Sequence, residues 1–285
     1  MPSVVIPAHQ EENSIAKAIK SLLGDEIDDL EIVVVANACS DRTARRAAAV
    51  SESIRVIETE ISGKCHAMNL GDESVTSFPR MYMDGDVSLL PSGFRRLLDA
   101  FEQGFHLICP RGRFDRSGLS TAARLVLDGQ ASNRFYNGNH APNGSGIFML
   151  SETGRSRWGK FPEAIINDDG FVGLHFDLKD SQVIREAVSV VHPPKTFRDL
   201  IGPRSRSIRG NWQLARLYPE MYQKRYEGIG RDNAWSILRS PSRWVPGVFY
   251  GTARILARAR AMTELGGDHW HQDRSGKSRD LEEKI

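Results

Sequence analysis

The chain has 285 residues, 40% of them hydrophobic, which is enough for a full core in one large domain. Its net charge of +2 sets up no global field of the kind that nucleic acid needs, so a nucleic-acid partner is not expected. The balance is uneven: residues 190–285 hold 18 Lys/Arg against 10 Asp/Glu, and residues 1–189 hold 20 against 26, so a basic C-terminal third with an anionic partner follows a mildly acidic body.

The chain enters a β-branched run at once, "SVVI" at 3–6, closed by Pro7. "NSIAKAIKSLL", 13–23, spaces Ile15, Ile19, Leu22 and Leu23 as a helix, with Asn13 or Ser14 as its N-cap. "LEIVVVAN", 30–37, is a second buried strand, and "SDRTARRAAAV" a helix capped near Ser40 or Asp41. "IRVIE", 54–58, is a third strand, "KCHAMNLGDES" after Gly63 a third helix, and "RMYMD", 80–84, a fourth strand. Such alternation with short connections predicts a mostly parallel sheet covered by helices on both faces, with ligands at the carboxyl ends of its strands. Pro7, Ala8, His9, Asn37, Asp84, Gly85 and Asp86 sit at those ends and are expected to share one crevice.

The pattern is mixed from 95 to about 190: a helix at 92–103, a strand at 105–110, a helix near 119–131, the loop "NGNHAPNGSG" at 137–146 and a short strand "IFML". Pro193-Pro194 mark the switch to a basic, helical remainder, and the stretch from about Gly266 is polar and expected to be poorly ordered. The three cysteines, Cys39, Cys65 and Cys109, fit neither a zinc site nor a disulfide framework. With no signal peptide and no membrane span in view, they place the protein in the cytoplasm, free or at the inner face of the membrane.

"MDGD" closes an apolar strand with two carboxylates separated by one glycine. Like charges there repel and cost desolvation, so a cation is expected to offset them. Mg²⁺ or Mn²⁺ shared with a diphosphate would do so, although an Asp-Gly turn has the same letters. "PAHQEEN" lacks the glycines of a dinucleotide-binding turn, which disfavours NAD and FAD. Lys64, at the start of a helix, is placed for a phosphate or simply for solvent. Asp168 and Asp169 in "INDDGFVGLHF" are adjacent in apolar surroundings; one of them would carry a raised pKa suited to a general base, or both would serve a helix N-terminus. His192 and the arginines Arg204, Arg206 and Arg209 suit a phosphate clamp or a solvated basic face.

Six segments in order, "VVIPAHQEENSI", "VVVANACSDRTA", "GKCHAMNLG", "MDGD", "NGSGIFML" and "NDDGF", resemble the family 2 glycosyltransferases of GT-A fold over roughly residues 2–212. The resemblance implies a GT-A catalytic domain over 1–212, its nucleotide-sugar half at 1–90 and its acceptor half at 91–212, followed by a helical basic segment at 213–285. It further implies that Pro7, Ala8, His9, Glu11, Asn37, Lys64, Asp84, Gly85 and Asp86 meet a nucleotide-sugar, probed by UDP first. Asn37 departs from the aspartate that many members carry against the base. Asp86 is implied as the direct ligand of Mn²⁺ or Mg²⁺, with His192 preferred over His140 if a histidine completes the site. Gly144, Ser145 and Gly146 are implied beside the acceptor. Asp169 matches the catalytic base of a pair usually Glu-Asp, here Asp168-Asp169. Arg204, Arg206 and Arg209 would close over the diphosphate.

The expected reaction is a single inverting displacement from a nucleoside-diphosphate sugar onto a glycan, lipid-linked or small-molecule acceptor hydroxyl. Two rivals share parts of the pattern: a sugar nucleotidyltransferase, and a non-catalytic nucleotide-sugar-binding protein. The segment 233–262 mixes Trp235, Trp244, Phe249 and Tyr250 with arginines. It reads equally as an interfacial element on an anionic membrane or as a helix packed on its own domain or on a second subunit.

Overall fold

The structure, a computed structural model, describes residues 1–131, 140–226 and 240–264. Residues 137–139 of the Asn/Gly loop, Trp235 and the tail after Gly266 lie outside them. The chain divides into two compact units, Met1–Arg113 with Asn139–Val191, and Phe114–Gly138 with His192–Ile285.

The first unit carries an eight-stranded mixed sheet in the order β3-β2-β1-β4-β7-β6-β8-β5. Strands β1 (Ser3–Ala8), β2 (Glu31–Asn37), β3 (Ile54–Thr59) and β4 (Arg80–Met83) are parallel, with Ala8 level with Ala36 and Val5 level with Tyr82. This is the half that alternation predicts. The other half is laid down antiparallel: β7 (Ile147–Leu150) runs against β4, β6 (Leu107–Phe114) against β7, and β5 (Ser88–Leu89) against β8 (Ser181–Val191).

Apolar residues alternate across β1, β2 and β4, so both faces need cover. Val4, Ile6, Ile32, Val34, Met81 and Met83 face α1 (Ile15–Leu23) and α4 (Gly93–Phe101) in one buried core. On the opposite face Gly71 of α3 (Lys64–Ser74) lies so close to Val5 that an added Cβ would stand 2.2 Å from Val5 Cγ1. A backbone approach this tight fixes α3 over β1. The Asp25 carboxylate, after α1, accepts from the backbone N–H groups of Ser92, Phe94 and Arg95 and so caps α4 from outside its own sequence.

The helix after β2, α2, is only Thr43–Ala48, shorter than its sequence pattern, because residues 38–42 serve the neighbouring loop. Asp41 accepts from the N–H groups of Glu12 and Thr43, and Thr43 Oγ1 accepts from Glu11 N at 2.7 Å. These bonds stitch the β1 and β2 exits together.

Behind the sheet lies a buried charge network. Asp72 of α3 accepts from Arg80 Nη1 at 2.8 Å, from Arg155 Nη2 at 2.6 Å and from the Tyr82 hydroxyl. Arg155, on the short helix α6 (Glu152–Arg155), also stacks on Trp158 and Phe161.

The second unit is helical. Leu119 and residues Ala123, Val126 and Leu127 of α5 (Thr121–Ala131) pack with Leu200, before α8 (Ile201–Leu217), and with Ala253 of α10 (Trp244–Thr263). A short α9 (Pro219–Tyr226) follows α8. Because α5 finds its apolar partners among these helices, the compact units part at 113 and 191. The boundary that the sequence suggests at 212 falls inside α8.

Candidate active site

β4 ends at Met83 and the chain turns at Asp84-Gly85-Asp86. The intervening glycine has a steric reason: a Cβ at Gly85 would stand 3.3 Å from Glu11 Cγ and 3.4 Å from Ala8 Cβ. The turn is thereby pressed against the exit of β1. Gly146, with φ +70°, supports it from the other side. Its carbonyl accepts from Asp84 N at 2.9 Å, and a Cβ there would stand 2.5 Å from Val87 Cγ2.

Asp168 and Asp169 arrive through α7 (Asp168–Leu174), whose N-cap Asn167 accepts from Gly170 N at 2.9 Å. What aims this helix is α3. The Asn69 amide bonds both the N–H and the C=O of Phe161, at 2.8 and 2.9 Å, and His66 Nδ1 meets Glu163 Oε1 at 2.9 Å. Trp158, Phe161 and Phe171 pack edge to face behind the doublet.

The two acidic segments meet at Lys64, the first residue of α3. Its Nζ lies 2.6 Å from Asp84 Oδ1 and 2.8 Å from Asp168 Oδ2. Carboxylates from positions 84 residues apart thus share one ammonium. Burial alone would lower the Lys64 pKa, but Asp168, Asp84 and Asp169 outweigh it and raise it well above the usual lysine value. Burial raises Asp84, with Asp168 and Asp86 adding to the rise and Lys64 opposing it. Burial, followed by Asp168, pushes Asp169 up to about 8, with Lys64 again opposing. Asp169 is half-buried, whereas Asp168 is buried. Burial also pushes the neighbouring Cys65 thiol up to about 12, which keeps it an unreactive packing group.

Asp84 and Asp86 offer the hard oxygen donors that Mg²⁺ and Mn²⁺ take. Among the described residues no cluster of three or more His, Cys, Asp or Glu side chains could hold a metal by itself. A cation here would complete its shell with phosphate and water oxygens, which suits these two ions.

A family model, "Glycosyl transferase family 2", matches residues 3–154, more than half of the chain. The chain belongs to glycosyl transferase family 2. Within the family, it is 31% identical over 104 residues to the uncharacterized glycosyltransferase EpsJ of Bacillus subtilis (strain 168), a match that spans 35% of this chain and 30% of that relative. Its fold is similar to that of the mannosyltransferase PcManGT from Pyrobaculum calidifontis, in complex with GDP-Man and Mn²⁺ (TM-score 0.59, 18% identity, 93% of this chain and 80% of that one). It is also similar to S. aureus TarS 1-349 in complex with UDP-GlcNAc (TM-score 0.52, 12% identity, 92% and 83%). The mixed sheet with its helical cover is the GT-A fold of these family 2 enzymes.

The site residues expected from the sequence fall into three groups in the structure. Asp84, Gly85, Asp86, Lys64, Asp168 and Asp169 come together, as do Pro7, Ala8 and Glu11 at the β1 exit. Asn37 and Ser145 stand differently from their sequence expectation. Asn37 is fully buried; its Nδ2 donates to Ala8 O and its Oδ1 accepts from Gly63 N, so it fastens three loops where a contact with a nucleotide-sugar was expected. His9 Nδ1 meets the Asn37 carbonyl at 2.7 Å. Ser145 is fully buried and donates to Ile147 O, so its hydroxyl shapes the loop of Gly144 and Gly146 where an acceptor contact was expected.

The third group lies in the second unit. His192 Nδ1 is 3.0 Å from Asp115 Oδ2, Arg204 Nη2 donates to Gln130 Oε1 at 2.6 Å, and Arg209 pairs with Glu264; Arg206 lies on the same helix, α8. Sequence reading did not single out Asn69 or Asn167. Each is an amide whose partners are backbone groups, and its letter alone carries no signal of that.

Proposed function

We propose that the protein is an inverting, metal-dependent glycosyltransferase that moves a sugar from a nucleoside-diphosphate sugar, UDP-linked first, to an acceptor hydroxyl. The observation that carries this reading is the Lys64 ammonium shared by Asp84 and Asp168, which joins the strand-end pair to the later doublet in one cleft. Family membership, and the nucleotide-sugars held by PcManGT and TarS, support such a donor.

In this reading Asp86, with Asp84, would hold the divalent cation, which would supply positive charge where the leaving diphosphate gains its own. Lys64 lends its own charge beside those oxygens. Asp169 takes the proton from the acceptor hydroxyl as that oxygen attacks the anomeric carbon. Its raised pKa makes it a stronger base than an ordinary aspartate once ionised. Asp168, covered and bonded to Lys64, holds that ammonium in place.

The deciding experiment measures nucleoside-diphosphate release from a panel of UDP- and GDP-sugars with Mn²⁺, with and without candidate acceptors. Donor-dependent release that rises with acceptor supports transfer. Pyrophosphate formation would instead identify a nucleotidyltransferase, and binding without turnover a nucleotide-sugar-binding protein.

Two further outcomes follow. Asp86→Ala abolishes the Mn²⁺-dependent part of the thermal shift given by the donor; an unchanged shift would remove Asp86 from the metal site. For Asp169 the sign is fixed by its raised pKa: the base works only when ionised. kcat/KM is therefore expected to rise with pH through the raised pKa of Asp169 and then level, at a lower pH when a cation sits beside Asp84, because its charge opposes the rise. A profile that falls with rising pH between about 5 and 8 would show that a group needed in its protonated form governs turnover instead.

A further inference from the structure

Helix α10 is built inside out. Its buried side consists of Ala253, Ala257 and Ala261, one turn apart, which let it lie close on α5 and α8. The approach is so tight that a Cβ at Gly129 of α5 would stand 2.4 Å from Pro246 O. The large apolar residues point the other way. Trp244, Val245, Val248, Ile255, Leu256 and Met262 are 45–70% exposed. At 100° per residue they fall, with Thr252 and Ala259, in a sector about 120° wide that contains no charged residue. Exposed apolar surface of this extent marks an interaction site.

The charges beside that sector are all of one sign. No Asp or Glu occurs between Arg243 and Thr263. Arg254 and Arg258 border one side of the stripe, stacked on Tyr250 and Trp212; Arg260, on the other side, is paired with Glu264 at 2.6 Å. The helix is not apolar enough to cross a bilayer, and no described helix is. An uncharged face edged by arginines, with a tryptophan at one end, is the pattern of a helix that lies in a headgroup layer.

We propose that the outward face of α10 docks the protein on an anionic membrane surface, with Val248, Ile255 and Met262 entering the acyl boundary and Arg254 and Arg258 meeting acidic headgroups. A second copy of the chain would also cover apolar side chains. Two such faces, however, would bring their arginines together with no acidic residue of the helix to meet them, which disfavours it.

The test uses the full chain in vesicle flotation with phosphatidylcholine alone and with phosphatidylcholine containing 30% phosphatidylglycerol. The wild type is expected to float with the anionic vesicles and to be released by salt. The double variant Val248→Glu/Ile255→Glu is expected to lose at least about tenfold in binding while keeping its melting temperature and its donor-induced thermal shift. These positions are exposed, so the variant keeps the packed side intact. Equal binding to neutral and anionic vesicles, or a double variant that floats like wild type, overturns the proposal. So does a wild-type dimer in light scattering that the same variant converts to monomer without any vesicle binding, which would assign the face to self-association.

Discussion

Asp169→Asn is expected to lower kcat by about three orders of magnitude while leaving donor affinity within about twofold. The asparagine keeps the shape of the side chain at the start of α7 and removes only its ability to accept a proton. The Lys64 bridge runs through Asp84 and Asp168, so the donor side of the cleft remains assembled. Stability is expected to move the other way. Asp169 has a raised folded pKa, so its ionised form opposes folding, and that cost grows as pH rises from the ordinary aspartate range through about 8. The neutral amide escapes the cost, and the variant should melt about 2–4 °C above wild type at pH 8. Near-normal turnover in Asp169→Asn would overturn the base assignment; a lowered melting temperature would show that the carboxylate is stabilised in the fold.

Asp72→Ala is expected to destabilise the protein by about 3–5 kcal/mol, a fall of roughly 10 °C in melting temperature. Asp72 is 10% exposed, and its partners Arg80 and Arg155 are 6% and 13% exposed. Without the carboxylate, two guanidinium groups and the Tyr82 hydroxyl stay buried without their common acceptor. Asp72→Asn keeps an acceptor but no charge and should fall between. Thermal unfolding followed by circular dichroism at pH 7 measures both, and a loss below 2 °C for the alanine variant would show that water reaches and re-solvates the arginines.

The parallel half of the sheet was legible because its strands are β-branched and apolar on both faces, bounded by helices of clear period. The positions of Pro7-Ala8 and Asp84-Gly85-Asp86 were legible because the first closes and the second follows such a strand, whereas Asp168 and Asp169 open a helix. β8 was not. Its inward positions include Ser181 and Ser189, which break apolar alternation, and both are buried because their hydroxyls bond Asp177 O and Ser145 O. The same physics explains Asn37 and Ser145. A polar residue at a cleft mouth reads as ligand-facing, yet a neighbour distant in sequence can satisfy it completely. Lys64 was expected near phosphate; that it would bridge two carboxylates depends on α7, which arrives from the far end of the unit. The buried Asp72 network left no trace in periodicity, since Arg80 opens a strand otherwise read from Met81 and Tyr82.

The clamp between Asn69 and Phe161 closes a loop of 92 residues. Joining points so far apart in sequence carries a large ordering cost that nearby contacts do not share. The acidic doublet therefore depends on a closure between segments that chain proximity does not help to bring together. A molecule lacking that closure would keep its parallel strands and much of its helix content, and would be inert. Turnover in the proposed reaction would thus gauge completed topology more strictly than any spectroscopic measure of helix or strand.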